Sequence, residues 1–134
     1  MPQPPSPTLS PSSAPSAGRI LELGTLTVRS RAECDAHVLA LFGELDLESA
    51  PKVEAELRSI ETTTPDEIVI DLRGLTFVDS TGLRLLIEAA RRARGSNAGR
   101  LVLLRPIDHV FRVFEIGGID ALLPFESAPR DADG

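Results

Sequence analysis

Apolar and polar residues alternate over Leu26 to Arg29, the two-residue period of a half-buried strand. Ser30 to Ala36 is polar and reads as a turn. Val38 to Phe42 is a second, more continuously apolar strand, so the pair predicts an antiparallel hairpin. Gly43-Glu44-Leu45-Asp46 reads as the loop that follows. The period then becomes helical. Ala50, Val53, Leu57 and Ile60 fall at i, i+3, i+7 and i+10, one apolar stripe on a helix from about Ala50 to Ile60. Pro51 suits its first turn, where a missing amide costs nothing. Glu54 and Arg58 are spaced as a solvated i,i+4 pair.

Thr62 to Asp66 breaks the pattern with Pro65. Ile68, Val69 and Ile70 make an uninterrupted β-branched run, typical of a strand buried on both faces of a parallel sheet. A helix is expected from about Thr81 to Arg94, with Leu83, Leu86, Ile87 and Ala90 facing the core. Arg91, Arg92 and Arg94 suit the negative end of its dipole as a solvated cluster, and Gly95 suits its stop. Leu101 to Leu104 is another strand. Asp108 is placed to cap a short helix, His109 to Ile116, closed by Gly117-Gly118, and Leu122 and Leu123 suggest a last strand. The order β-β-α-β-α-β-α-β predicts a single α/β domain over residues 19–125. It is a mixed β-sheet with helices packed against it and a right-handed crossover between its parallel strands. Residues 1–18 are dominated by Pro and Ser and carry no charge, which reads as a disordered leader. Residues 126–134 read as a flexible acidic tail.

Composition narrows the function. Among 134 residues there are five Phe, no Trp and no Tyr, so no aromatic platform exists on which bases could stack. The net charge of −6 repels phosphate backbones and argues against direct nucleic-acid binding. A basic patch on a protein partner is the better match. Cys34 is the single cysteine, which excludes an internal disulfide and a thiolate metal cluster and suits a reducing cytoplasm. The first residues, MPQPPSP, lack the basic and apolar regions of a signal peptide. No apolar run approaches the ~20 residues of a membrane-spanning helix. A cytoplasmic protein without membrane attachment, metal or cofactor is expected.

The stretch with chemical content is Val69 to Leu83, where a strand delivers Asp79, Ser80, Thr81 and Gly82 to the start of a helix. Ser80 is suited to cap that helix, and Asp79 is the alternative cap. Thr81 and Gly82 are expected to keep the entrance small and open, with amides pointing outward towards an added anion. A phosphate on Ser80 would bring about −1.5 to −2 charge there. Catalysis by Ser80 lacks support. Its neighbours do not form a Gly-x-Ser-x-Gly elbow, and neither His37 nor His109 is linked to it by a motif. Gly95 to Gly99 lacks the Lys-Ser/Thr ending of a phosphate-binding loop.

Phe77-Val-Asp-Ser-Thr-Gly-Leu83 closely resembles the phosphoacceptor motif of STAS-domain anti-sigma factor antagonists. The resemblance extends to Gly43-Glu-Leu-Asp46 and to Phe111 to Gly118 ahead of Ile119 to Leu122, and it covers residues 20 to 125 in the family's order of elements. It implies a STAS-type fold and a regulatory protein rather than an enzyme. It implies Ser80 as phosphoacceptor, less readily Thr81, and a partner-binding surface of Asp46, Asp79, Ser80, Thr81 and Gly82. The implied partners are an anti-sigma factor that is also a serine kinase, bound when Ser80 is unmodified so that a sigma factor is freed, and a phosphatase that resets the switch. The alternatives within the family are a regulatory subunit of an ABC-type lipid transporter and a component of a stress-signalling scaffold.

Overall fold

The computed structural model describes residues 18–95 and 99–126. The expected leader up to residue 17, most of the loop between Gly95 and Gly99, and the tail after residue 126 lie outside the described residues. Within them the chain forms β1 (Gly18–Leu23), β2 (Leu26–Glu33), β3 (Ala36–Leu45), α1 (Ala50–Glu61), β4 (Glu67–Val78), α2 (Ser80–Arg94), β5 (Arg100–Leu104), α3 (Asp108–Ile116), a 3-10 turn (Asp120–Leu122) and β6 (Phe125–Glu126). The six strands form one sheet in chain order. β1, β2 and β3 pair antiparallel; β3, β4, β5 and β6 pair parallel.

Several expectations give way here. The polar stretch Ser30 to Ala36 is not a turn: β2 runs to Glu33 and β3 starts at Ala36, so only Cys34 and Asp35 turn the chain. Ser30 is buried with its hydroxyl 2.8 Å from His37 Nε2, which satisfies a polar group inside the sheet. Gly43 to Leu45 are strand rather than loop, and Leu45 pairs with Val78. Gly43 adopts φ +110, and a β-carbon there would collide with the Thr25 carbonyl. β1 is additional to the expected order. The last strand lies at Phe125–Glu126 instead of Leu122 and Leu123, because Leu122 belongs to the 3-10 turn. Asp108 is the first residue of α3 and Ile107 its cap position, with no side-chain capping bond.

The core lies between one sheet face and the helices. Leu39 and Leu41 of β3, Ile70 and Leu72 of β4 and Leu103 of β5 are fully buried in one cluster with Val53, Leu57, Leu86 and Phe114 from the three helices. The α1 stripe is buried as expected. On α2 the buried face is Leu85, Leu86, Ala89 and Ala90, while Leu83 and Ile87 are only partly covered, a rotation towards the strands beneath. Arg92 is no solvated helix end. It bonds Glu61 through Nε at 3.0 Å and Glu54 through a terminal nitrogen at 3.3 Å, tying α2 to α1. Arg58 meets Glu54 at 3.4 Å, as its spacing implied. At the far edge Phe125 packs edge-on against Phe111 and Phe114, with ring centres 5.1 and 5.3 Å apart.

Candidate functional site

β3 and β4 are parallel and end together. Leu45 pairs with Val78, and the Asp79 amide continues the ladder by donating to the Leu45 carbonyl at 3.1 Å. The loop into α1 and the turn into α2 therefore open at the same end of the sheet. This brings Asp46 and Asp79 into one neighbourhood although 33 positions separate them in the sequence.

Asp79 is the N-cap of α2, and Ser80 is the first helical residue. The choice follows from geometry: extended backbone at Asp79 lets Oδ1 accept from the Gly82 amide at 3.0 Å. The second oxygen, Oδ2, accepts from the Leu47 amide at 3.0 Å. One carboxylate thus caps a helix and ties down the neighbouring loop. The Leu83 amide donates to the Asp79 carbonyl at 2.9 Å.

Asp46 organises the loop on the other side. Its Oδ1 accepts from the amides of Glu48 and Ser49, each at 3.1 Å. The Ser49 hydroxyl accepts from the Asp46 amide at 3.0 Å and stands 3.1 Å from Oδ1. The Ser49 amide bond, reinforced by the hydroxyl and by Glu48, holds the Asp46 carboxyl below the usual carboxylate range. The Asp46 carbonyl then accepts from Ala50 at 2.8 Å, the first bond into α1. Asp46 is thus a structural residue of this loop as well as a surface acid.

Ser80 is exposed, and among the described residues its hydroxyl meets no hydrogen-bond partner. The amides of Ser80 and Thr81 are likewise without partners, whereas those of Gly82 and Leu83 are taken by Asp79. Thr81 is half-buried. Gly82 does not keep the entrance open: it is buried, and a β-carbon there would sit 2.8 Å from both Leu45 Cγ and Val78 Cγ2. It is the close-packing point of α2 on the strand ends. All five expected residues thus lie at one end of the sheet, in three different roles: Asp46 and Asp79 hold backbone, Gly82 packs, and Ser80 and Thr81 start the helix.

Two exposed apolar side chains at the same end were not singled out from the sequence as surface groups. Leu47 is 71% exposed and Phe77 48%. Leu47 carried a signal, an apolar residue between two acids with no helical stripe to join. Phe77 carried one too: it is out of phase with Ile68, Ile70, Leu72 and Val78, the buried residues of β4, so alternation already places it off the core face. His37 stands at the other end of β3, roughly 25 Å from Leu45 at the rise of a strand. Paired to Ser30, it is no base for Ser80. Among the described residues no group of three or more His, Cys, Asp or Glu side chains could hold a metal ion. None of their helices is long and apolar enough to cross a membrane.

Residues 28–124 match the family described as "Mlab, STAS domain". An anti-sigma-B factor antagonist of Listeria monocytogenes is 32% identical over 92 residues, which cover 69% of this chain and 80% of that protein. The chain belongs to the STAS family of anti-sigma factor antagonists. Membership places it among regulatory binding proteins rather than enzymes. The crystal structure of an anti-sigma factor antagonist from Mycobacterium paratuberculosis is similar with a TM-score of 0.65 and 26% identity, covering 80% of this chain and 90% of that one. Unphosphorylated SpoIIAA, an anti-sigma factor antagonist, shares the fold at a TM-score of 0.62 and 24% identity, covering 87% and 92% of the two chains. The STAS-type mixed sheet with helices against one face is the fold expected from the sequence.

Proposed function

We propose that this STAS domain binds an anti-sigma factor through the sheet end that carries Ser80, and that phosphorylation of Ser80 ends the binding. The observation that carries the proposal is the Ser80 hydroxyl: exposed, unpartnered, and fixed in place because Asp79 rather than Ser80 caps the helix. A side chain with no structural duty can be modified without unfolding the domain. The anti-sigma factor is itself the serine kinase. It supplies ATP and Mg²⁺; the Ser80 hydroxyl gives up its proton, the Oγ–P bond forms and ADP leaves. A phosphatase hydrolyses the ester and restores the binding form. In the unmodified state the antagonist occupies the anti-sigma factor and a sigma factor is released.

The contact surface pairs the exposed apolar groups Leu47 and Phe77 with a rim of acids, Asp46, Glu48 and Asp79. Such a surface suits a partner with an apolar centre and basic surround. A dianion at Ser80 adds repulsion and desolvation to that contact, and a loss of about 2.7 kcal/mol lowers affinity roughly a hundredfold. The test is to incubate the chain with its anti-sigma factor and ATP, map the phosphate by peptide mass spectrometry, and titrate both forms against the partner. Phosphate on Ser80 with at least a tenfold weaker Kd is the expected result. Phosphate found solely on Thr81 or among the first 17 residues overturns the site. A phosphoprotein that binds as well as the unmodified chain overturns the switch and favours a transporter-type STAS role.

A further inference from the structure

We propose that Arg84 is the counter-charge that receives the phosphoryl group on Ser80, an assignment that rests on Ser80 being the phosphoacceptor. Ser80 and Arg84 are four positions apart on α2, and both are exposed. Residues so spaced are neighbours on a helix surface, with β-carbons about 5–6 Å apart. Side chains on a helix lean towards its N-terminus, so a guanidinium at position 84 can reach back over the turn that holds Ser80. An anion placed N-terminal to a cation is also the favourable order for such a pair.

Arg84 is available for this. Among the described residues it makes no ion pair or hydrogen bond. The carboxylate four positions further on, Glu88, is engaged with Arg91 at 3.6 Å, and Arg92 is held by Glu61 and Glu54. The opposite side of Ser80 repels a phosphate. Asp79 adjoins it, and Asp46 and Glu48 lie in the loop that Asp79 tethers. A dianion on Ser80 is therefore driven away from the acids and towards the first turn of α2. There the amides of Ser80 and Thr81 are also unpartnered. The planar guanidinium can present two parallel N–H donors to one phosphate. The phosphoryl group is then held over the first turn of α2, at the border of the surface proposed to meet the partner, instead of swinging free in solvent.

The test uses the full chain with phosphoserine installed at position 80 during translation, so no kinase is required. Phosphorus NMR follows the second ionisation of the phosphate in the native sequence and in Arg84→Gln, Arg84→Lys and Arg91→Gln. In the native sequence the midpoint is expected below the ordinary value of about 6. Arg84→Gln should raise it by about 0.3 pH unit or more, Arg84→Lys should lie between the two, and Arg91→Gln should leave it unchanged. The difference should shrink in 1 M salt. An Arg84→Gln midpoint equal to the native one overturns the assignment whether or not a kinase modifies Ser80. Failure of the kinase to modify Ser80, by contrast, is read in the mapping experiment and leaves this titration intact.

Discussion

The Asp79 carboxylate accepts the Leu47 amide at 3.0 Å across a sequence separation of 32 residues. Its other oxygen caps α2 through Gly82, so a single side chain sets the distance between an exposed leucine and the serine at the helix start. Asp79→Ala removes both bonds. Loss of the cap alone is worth about 1 kcal/mol, and the freed loop adds to it. The expected outcome is a Tm lower by roughly 5 °C or more together with weaker partner binding. Asp79→Asn keeps one acceptor oxygen and should fall between the two. Thermal melts beside titration calorimetry check both; an unchanged Tm would remove Asp79 as the clasp.

Ser80 carries no cap, so its substitution should not cost cap energy. Ser80→Ala is expected to leave stability within about 0.5 kcal/mol of the native chain, to bind the anti-sigma factor, and to resist inactivation. Ser80→Asp puts one negative charge at a helix N-terminus, which favours the free domain by about 0.3–1 kcal/mol. The same charge should weaken binding, though less than phosphoserine, which carries more charge and three strong acceptor oxygens. Melts and calorimetry on the three forms decide it. A large loss of stability in Ser80→Ala would mean that the hydroxyl holds structure after all.

Leu47 and Asp46 are neighbours with opposite duties. Leu47→Asp replaces a side chain that is 71% exposed, so the melt should barely move while affinity for the partner falls about tenfold or more. Asp46→Ala removes the acceptor of the Glu48 and Ser49 amides and should lower the Tm as well as the affinity. An Asp46→Ala chain that loses affinity at unchanged Tm would show that the acid acts on the partner alone.

Acid should destabilise the domain through His37. Burial lowers its pKa from the usual 6.5, against a smaller opposite pull from Glu56. The unfolded chain therefore binds this proton more readily than the folded one. The histidine's contribution is fully present above pH 6.5 and is lost as pH falls towards the folded value. Urea denaturation between pH 7.5 and 5 should show stability falling with pH, and His37→Gln should flatten that segment. Equal slopes in the two proteins would assign the dependence to other groups. Asp46 acts in a lower window: its depressed carboxyl stabilises above its ordinary pKa and loses that effect as pH falls through the folded value.

Local periodicity by itself determined much of this protein. The α1 stripe of Ala50, Val53, Leu57 and Ile60 is buried as its spacing requires, and Ile68 to Ile70 and Leu101 to Leu104 lie in strands, as their short apolar runs suggested. The motif from Phe77 to Leu83 was equally legible, since it is contiguous. What depends on partners distant in the chain was not. β1 is an edge strand with exposed residues along most of its length, so it leaves no alternating signature. β4 continues to Val78 because β3 is there to pair with it, through register shifts that break the alternation and bury Leu75 out of phase with Ile70, Leu72 and Val78. Whether Asp79 or Ser80 caps α2 could not be read locally, because both residue types cap helices well; backbone geometry and the bond to Leu47 decide it. A side chain's burial and its hydrogen-bond partners are properties of the sheet order, and only the tertiary structure brings Leu47, Asp79 and Ser80 to one end of it.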